Sequence, residues 1–171
     1  MKKGSHGTGI FKNSDFRKVG KEVVFEPGVL VFHPENIEIG AHVYIGHNTI
    51  LKGYYNNRME IGSGTWIGQQ CFFHSAGGIS IGMNVGIGPA VKIITSCHID
   101  EGREKPLLHS RVAFFPVVIE DDCDIGVGAI ILPGVTIGQG TQVGAGAVVN
   151  INLPPYSVAA GVPVRVIRTR V

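Results

Sequence analysis

The chain has 171 residues, 25 of them glycine, with 44% hydrophobic, 16% charged and 8% aromatic residues and a net charge of +2. Glycine at about twice the usual ~7% and charge well under the usual ~25% exclude a disordered chain, which is poor in aliphatics and rich in charge, and no run of ~18 apolar residues offers a membrane span. There is no dense basic stripe of the kind nucleic-acid binders carry, and three cysteines far apart in sequence make no disulfide framework. The expectation is one soluble, cytoplasmic domain with no signal peptide, no membrane span and no nucleic-acid partner.

Residues 1–36 carry no regular repeat and are read as an N-terminal segment leading into the first coil. From there a six-residue beat takes over. An aliphatic residue followed by glycine recurs at Ile39, Ile45, Ile61, Ile67, Ile81, Ile87, Ile125, Ile137 and Val143, and Leu51, Phe73, Ile93, Ile99, Ile119, Ile131 and Val149 keep the phase without the glycine. The unbroken stretches are 39–51, 61–73, 81–99 and 119–149. Four residues after each aliphatic stands a small or β-branched residue, among them Thr49, Cys71, Val91, Cys97, Cys123 and Ala147. Residues two apart on a strand share a face, so each hexad points one large and one small side chain inward. Repeated strand and turn of this kind predicts an all-β, single-stranded parallel β-helix over 37–153, each hexad forming one wall of a triangular prism and successive coils pairing at about 4.8 Å. All three cysteines fall at the small inward position and are read as core.

The beat breaks in three places. Four extra residues surround Tyr54–Arg58, two more lie near Ala76–Gly78, and a protruding loop covers 100–118, charged at its start and ending in Phe114-Phe115. A long loop inside a regular solenoid is more often functional than structural, and the aromatic tail predicts docking on a neighbouring surface. His98 precedes the loop, and alternation turns it outward while Cys97 points in, so the two are poorly placed as a catalytic pair. Histidine exchanges protons near neutral pH, which makes an outward one beside a loop a candidate general base. After Pro154 the beat ends, and a short tail, 154–171, closes the solenoid edge with prolines that cannot donate to a further ladder and carries Arg165, Arg168 and Arg170, candidates for a phosphate contact.

The repeat, the segment Ile93-Ile94-Thr95-Ser96-Cys97-His98 before a long loop, the run Ile131-Leu132-Pro133-Gly134-Val135-Thr136-Ile137-Gly138, the run Val143-Gly144-Ala145-Gly146-Ala147-Val148-Val149 and the ending Ala160-Gly161-Val162-Pro163-Val164-Arg165-Val166-Ile167-Arg168 closely resemble hexapeptide-repeat acyltransferases over residues 24 to 170. That group includes maltose and galactoside O-acetyltransferases, xenobiotic acetyltransferases and sugar acetyltransferases of bacterial surface polysaccharide biosynthesis. The resemblance implies a left-handed coil, a homotrimer with active sites between subunits, and transfer from acetyl-CoA to a sugar hydroxyl or amine by direct attack on the thioester, with no metal. It implies His98 as general base, Val127 as the backbone contact to the thioester, Gly126 and Ala145 lining the pantetheine path, Arg165 and Arg168 near the nucleotide end, and His74 as an acceptor contact. Two departures stand out: Asp124 where many relatives carry Trp, and Asn150-Ile151-Asn152 where Thr-Lys-Asp is common.

Two other functions fit the same scaffold. A metal lyase resembling γ-class carbonic anhydrase would use three histidines, for which His42, His47 and His74 are the candidates. A non-catalytic trimeric scaffold would only assemble partners.

Overall fold

The alternation of large and small inward residues closes into a prism. The computed structural model, which describes residues 4–171, is a β-solenoid of about seven coils. Each coil contributes one short strand to each of three walls, and strands one coil apart pair in parallel. The first wall stacks Lys18–Val19, Ile37–Ile39, Met59–Ile61, Ile79–Ile81, Val117–Ile119 and Thr136–Ile137. The second stacks Val24–Phe25, Tyr44–Ile45, Trp66–Ile67, Gly86–Ile87, Asp124–Ile125, Gln142–Val143 and Ser157–Ala160. The third stacks Leu30–Phe32, Ile50–Lys52, Phe72–His74, Lys92–Ile94, Ile130–Ile131 and Val148–Val149. Wall pairing starts at Lys18, inside the segment 1–36, whose first three residues lie outside the described ones. Among the described residues no helix is long and apolar enough to cross a membrane.

Inside the prism the hexad is legible residue by residue. Ile39, Ile45, Leu51, Ile67, Phe73, Ile87, Ile93, Ile125 and Ile131 are buried, and so are Val43, Cys71, Val85, Val91, Cys123, Ala129 and Ala147 at the small position. Polar members of the small set are accommodated by the neighbouring coil. Thr49 donates its hydroxyl to the Gly68 carbonyl at 2.9 Å, Thr65 to Gly82 at 3.1 Å and Thr141 to Pro154 at 2.9 Å. The thiols of Cys71 and Cys123 do the same toward Gly88 and Gly138, at 3.3 and 3.2 Å. A buried hydroxyl or thiol with a partner costs little, whereas an orphaned one costs about 1–3 kcal/mol, so threonine and cysteine interchange with valine at this position. Burial pushes the Cys71 thiol up to about 11, which keeps it protonated and inert.

The beat does not run to Ile99. Cys97 is exposed and Ile99 is 37% exposed, because the chain leaves the third wall after Ile94. Buried Thr95 marks the exit: its hydroxyl donates to the His74 carbonyl at 2.7 Å and accepts the Gly77 N–H at 2.7 Å. Beyond it Ser96–His98 pairs antiparallel with Val112–Phe114 as a hairpin outside the prism. Phe115 returns to the same corner, its N–H donating to the Thr95 carbonyl at 2.9 Å, and the first wall resumes at Val117. The expectation that Cys97 is a core residue is therefore corrected, since identical residue types continue past the point where the backbone turns away.

The solenoid ends are closed. Phe11, Phe16 and Phe25 form a ring cluster with centroids 4.9–5.6 Å apart over the first coil, and the Gly9 carbonyl accepts the Val31 N–H. At the other end Arg165–Thr169 folds back antiparallel on Ser157–Ala160.

Glycine after the aliphatic is required by coil-on-coil approach. A Cβ on Gly40 would sit 2.5 Å from the Ser63 backbone nitrogen, closer than any real contact. Gly40→Ala should therefore lower stability by about 1–3 kcal/mol, the cost of overpacking, read as a shifted urea midpoint at unchanged slope.

Candidate active site

The second and third walls meet at a corner built from stacked glycines. Gly68, Gly88, Gly126 and Gly144 lie one above another, and a Cβ on Gly126 would meet the Ala145 nitrogen at 2.5 Å. The residue after each glycine stands on the outer edge, so Val127 is 53% exposed and Ala145 is exposed. Gly126 and Gly128 donate their N–H groups to Val143 and Pro89, each at 2.8 Å. The N–H groups of Val127 and Ala145 have no acceptor among the described residues. One coil on, the corner is continued by Ala160 and Gly161, with Arg165 opposite Ala160 in the antiparallel pair and Arg168 opposite Val158. Their guanidiniums reach only neighbouring carbonyls, Arg165 to Val164 at 2.8 Å and Arg168 to Thr169 at 3.3 Å. Arg170 turns elsewhere and donates to Gly140. Gly126, Val127, Ala145 and Arg165 thus fall along one corner across three coils at about 4.8 Å each, with amide donors at one end and a cation at the other, while Arg168 lies two positions back along the second wall, opposite Val158.

His98 lies at the opposite edge of the third wall, on the hairpin that leaves after Ile94. Within one chain the structure does not bring it to Val127. Its Nδ1 is 3.3 Å from the Ser110 carbonyl oxygen. A carbonyl only accepts, so Nδ1 carries the proton and the Nε2 lone pair faces away from this bond, free to accept a proton. The far part of the excursion is clamped by Glu101, whose carboxylate accepts from Lys105 Nζ at 2.6 Å, Arg111 Nε at 2.7 Å and the Arg111 N–H at 3.0 Å. Those hydrogen bonds, Lys105 foremost, hold the Glu101 carboxyl down at about 2.

His74 sits on the outward side of the third wall at the same edge, in register with Lys52 and Ile94. Tyr54 packs edge-on against its ring at 5.8 Å and Phe72 stacks beside it at 6.2 Å. Phe114 of the hairpin lies 6.2 Å from Tyr54, so the first interruption of the repeat and the excursion meet beside His74. Burial, with Lys52 and His6 adding to it, lowers the His74 pKa, which leaves a neutral imidazole able both to donate and to accept.

Sequence reasoning missed Tyr54, the Ser110 carbonyl and the Glu101 clamp. Tyr54 was visible as an aromatic in an interruption, whereas a backbone carbonyl leaves no trace in residue identity. The aromatic tail of the loop is half-exposed, with Phe114 at 42% and Phe115 at 46%. His42 pairs with Glu22 at 2.8 Å and His47 with Glu26 at 3.4 Å, and His74 keeps the aromatic company described above. Among the described residues no three His, Cys, Asp or Glu side chains gather as a metal site.

Glu101→Gln should loosen the excursion, read as faster trypsin cleavage after Arg103 and Arg111 at an unchanged melting temperature. Because the Glu101 pKa is lowered on folding, the clamp's contribution is fully present above the ordinary carboxyl range and is lost as pH falls through about 2. Cleavage resistance, followed with an acid-tolerant protease, should persist to that pH.

A model of the hexapeptide repeat of succinyl-transferase matches residues 116–150. The chain is 34% identical to galactoside O-acetyltransferase of Escherichia coli (strain K12) over 155 residues, 90% of this chain and 64% of that protein, so it spans less than two thirds of that relative's length. It is 30% identical over 154 residues to WcaF of the same organism, an acetyltransferase named for colanic acid biosynthesis, covering 90% of this chain and 70% of the relative. Among solved structures, a variant of AntD, an N-acyltransferase from Bacillus cereus in complex with dTDP-4-amino-4,6-dideoxyglucose and coenzyme A, is similar with a TM-score of 0.83 at 27% identity over 93% of this chain and 87% of that one. With its parallel walls, glycine corners and relatives of the same build, the chain belongs to the hexapeptide-repeat acetyltransferases.

Proposed function

We propose that the chain transfers an acetyl group from acetyl-CoA to a hydroxyl or amine of a sugar or sugar conjugate, in the assembly of a bacterial surface polysaccharide. The observation that carries this reading is the corner of unclaimed amide donors at Val127 and Ala145 running toward Arg165 and Arg168. The coenzyme A complex of AntD and the galactoside and colanic acid relatives support it.

Bound acetyl-CoA supplies an acyl group activated as a thioester. Val127 directs its N–H at the thioester oxygen, where negative charge develops as the acceptor attacks. Nε2 of His98 takes the proton from the attacking hydroxyl or amine and hands it to the departing thiol, while the Nδ1–H bond to the Ser110 carbonyl fixes the ring. His74 and Tyr54 flank the acceptor side, and Arg165 and Arg168 hold the phosphates.

His98 and Val127 stand at opposite edges of one wall, so the site is completed by a second copy. The outward side chains of that wall favour this: Ile50, Phe72, Ile130 and Val148 are apolar and half-buried, interrupted by exposed Lys92 between Phe72 and Ile130. Packing the third walls around a threefold axis sets the His98 hairpin of one copy against the Val127 corner of the next.

His98→Ala should lower acetyl transfer by about 10²–10⁴-fold with folding and coenzyme A binding intact, followed as thiol release with a panel of sugars and sugar nucleotides. Near-normal turnover in that variant would remove His98 from its role. Ile130→Asp should split the trimer in sedimentation and abolish transfer with it, and an active monomer would refute the shared site.

A further inference from the structure

The second wall carries a feature that the acyl-donor corner and His98 leave unused. Its outward positions, in coil order, are Val24, Tyr44, Trp66, Gly86, Asp124, Gln142 and Val158. Tyr44 and Trp66 stack nearly parallel, 5° apart, with centroids at 5.6 Å. Tyr44 therefore covers one face of the indole, yet Trp66 remains 43% exposed. The other face looks toward Gly86, its in-register neighbour, which has no side chain to cover it.

Nothing in the backbone demands glycine at 86. Its φ is not positive, and a Cβ there would meet only the Asp124 carboxylate oxygen at 3.2 Å and the Cys123 carbonyl at 4.0 Å. This contrasts with the corner glycines, where the next coil's backbone stands in the way. The residue acts by leaving space. On the far side of that space is Asp124, whose other oxygen accepts from Gln142 at 3.4 Å. The floor is strand backbone, one side is an aromatic plane, and the other is a carboxylate that only accepts hydrogen bonds. The slot's two strands, Gly86–Ile87 and Asp124–Ile125, run directly into Gly88 and Gly126 of the corner that presents Val127, so the slot borders the proposed cleft.

We propose that this slot binds a pyranose ring, a second sugar of the acceptor beyond the one that is acetylated. A pyranose presents an apolar C–H face to the indole and hydroxyl donors at its rim to Asp124, which is the complement of the slot. A phosphorylated ligand is disfavoured by the Asp124 charge. The inference rests on the sugar-acceptor reading and adds that the acceptor extends past a single ring, in keeping with a glycan.

Trp66 is the one tryptophan in the chain, so its fluorescence reports this slot directly, in the absence of any acyl donor. Titrating the full chain with methyl glycosides and disaccharides of glucose, galactose and N-acetylglucosamine should give a saturable change in emission. Disaccharides should bind more tightly in the presence of coenzyme A. Gly86→Val, which keeps the reporter and fills the slot, should weaken binding about tenfold or more. Asp124→Asn, which preserves shape and adds a donor, should also weaken it and serves if the valine variant fails to fold. A blue-shifted emission in the free protein, indicating an indole covered by another copy, would overturn the proposal. So would the lack of response to every sugar, a response that Gly86→Val and Asp124→Asn leave unchanged, or a response confined to nucleotides or simple alkylammonium ions. Sugar-dependent emission without acetyl transfer to any acceptor would retain the slot and discard the transferase reading.

Discussion

Coils that stack at strand spacing bring each corner's backbone onto the backbone of the next corner, and the rest of the molecule is arranged around that contact. At Gly40 and Gly126 the backbone of the neighbouring coil occupies the place of a Cβ, so the corner must be glycine and the residue after it must project outward. Two results follow from one constraint. Inward positions repeat closely enough to make a continuous column of Ile, Leu and Phe, and outer-edge residues recur in a straight line along the prism. Val127 and Ala145 stand on that line, and the folded-back terminal strand sets Arg165 beside its next rung, opposite Ala160.

Much of this was readable from residue identities because the solenoid repeats its environment. The phase of Ile39 through Ile93 and of Ile119 through Val149 predicts burial correctly, and the small inward set predicts Cys71 and Cys123 as core. The beat failed at Cys97 and Ile99. Both satisfy the pattern, but the chain leaves the wall two residues earlier, through hydrogen bonds of Thr95 to backbone groups of the coil before it. A threonine at an inward position is ordinary in this chain, so nothing in the composition of the hexad marks the exit.

The candidate site divides along the same line. His98, placed by the motif, stands on the hairpin, but the group beside its Nδ1 is the Ser110 carbonyl, and the unclaimed groups along the glycine corner are backbone amides. Neither has a residue-type signature. The pairing of Trp66 with Tyr44 and the vacancy over Gly86 are likewise cross-coil neighbours, set by ladder register between positions about twenty residues apart. Linear reading sees a tyrosine, a tryptophan and a glycine in separate hexads. Ladder register makes them adjacent.

The excursion between Thr95 and Phe115 begins and ends at one corner, its mouth joined by the Phe115–Thr95 hydrogen bond. The walls on either side pair as though the insertion were missing, with Ile79–Ile81 directly beside Val117–Ile119. Column and excursion are thus geometrically separable units in this chain. A change of length between Thr95 and Phe115 leaves the pairing register of the column beneath it untouched.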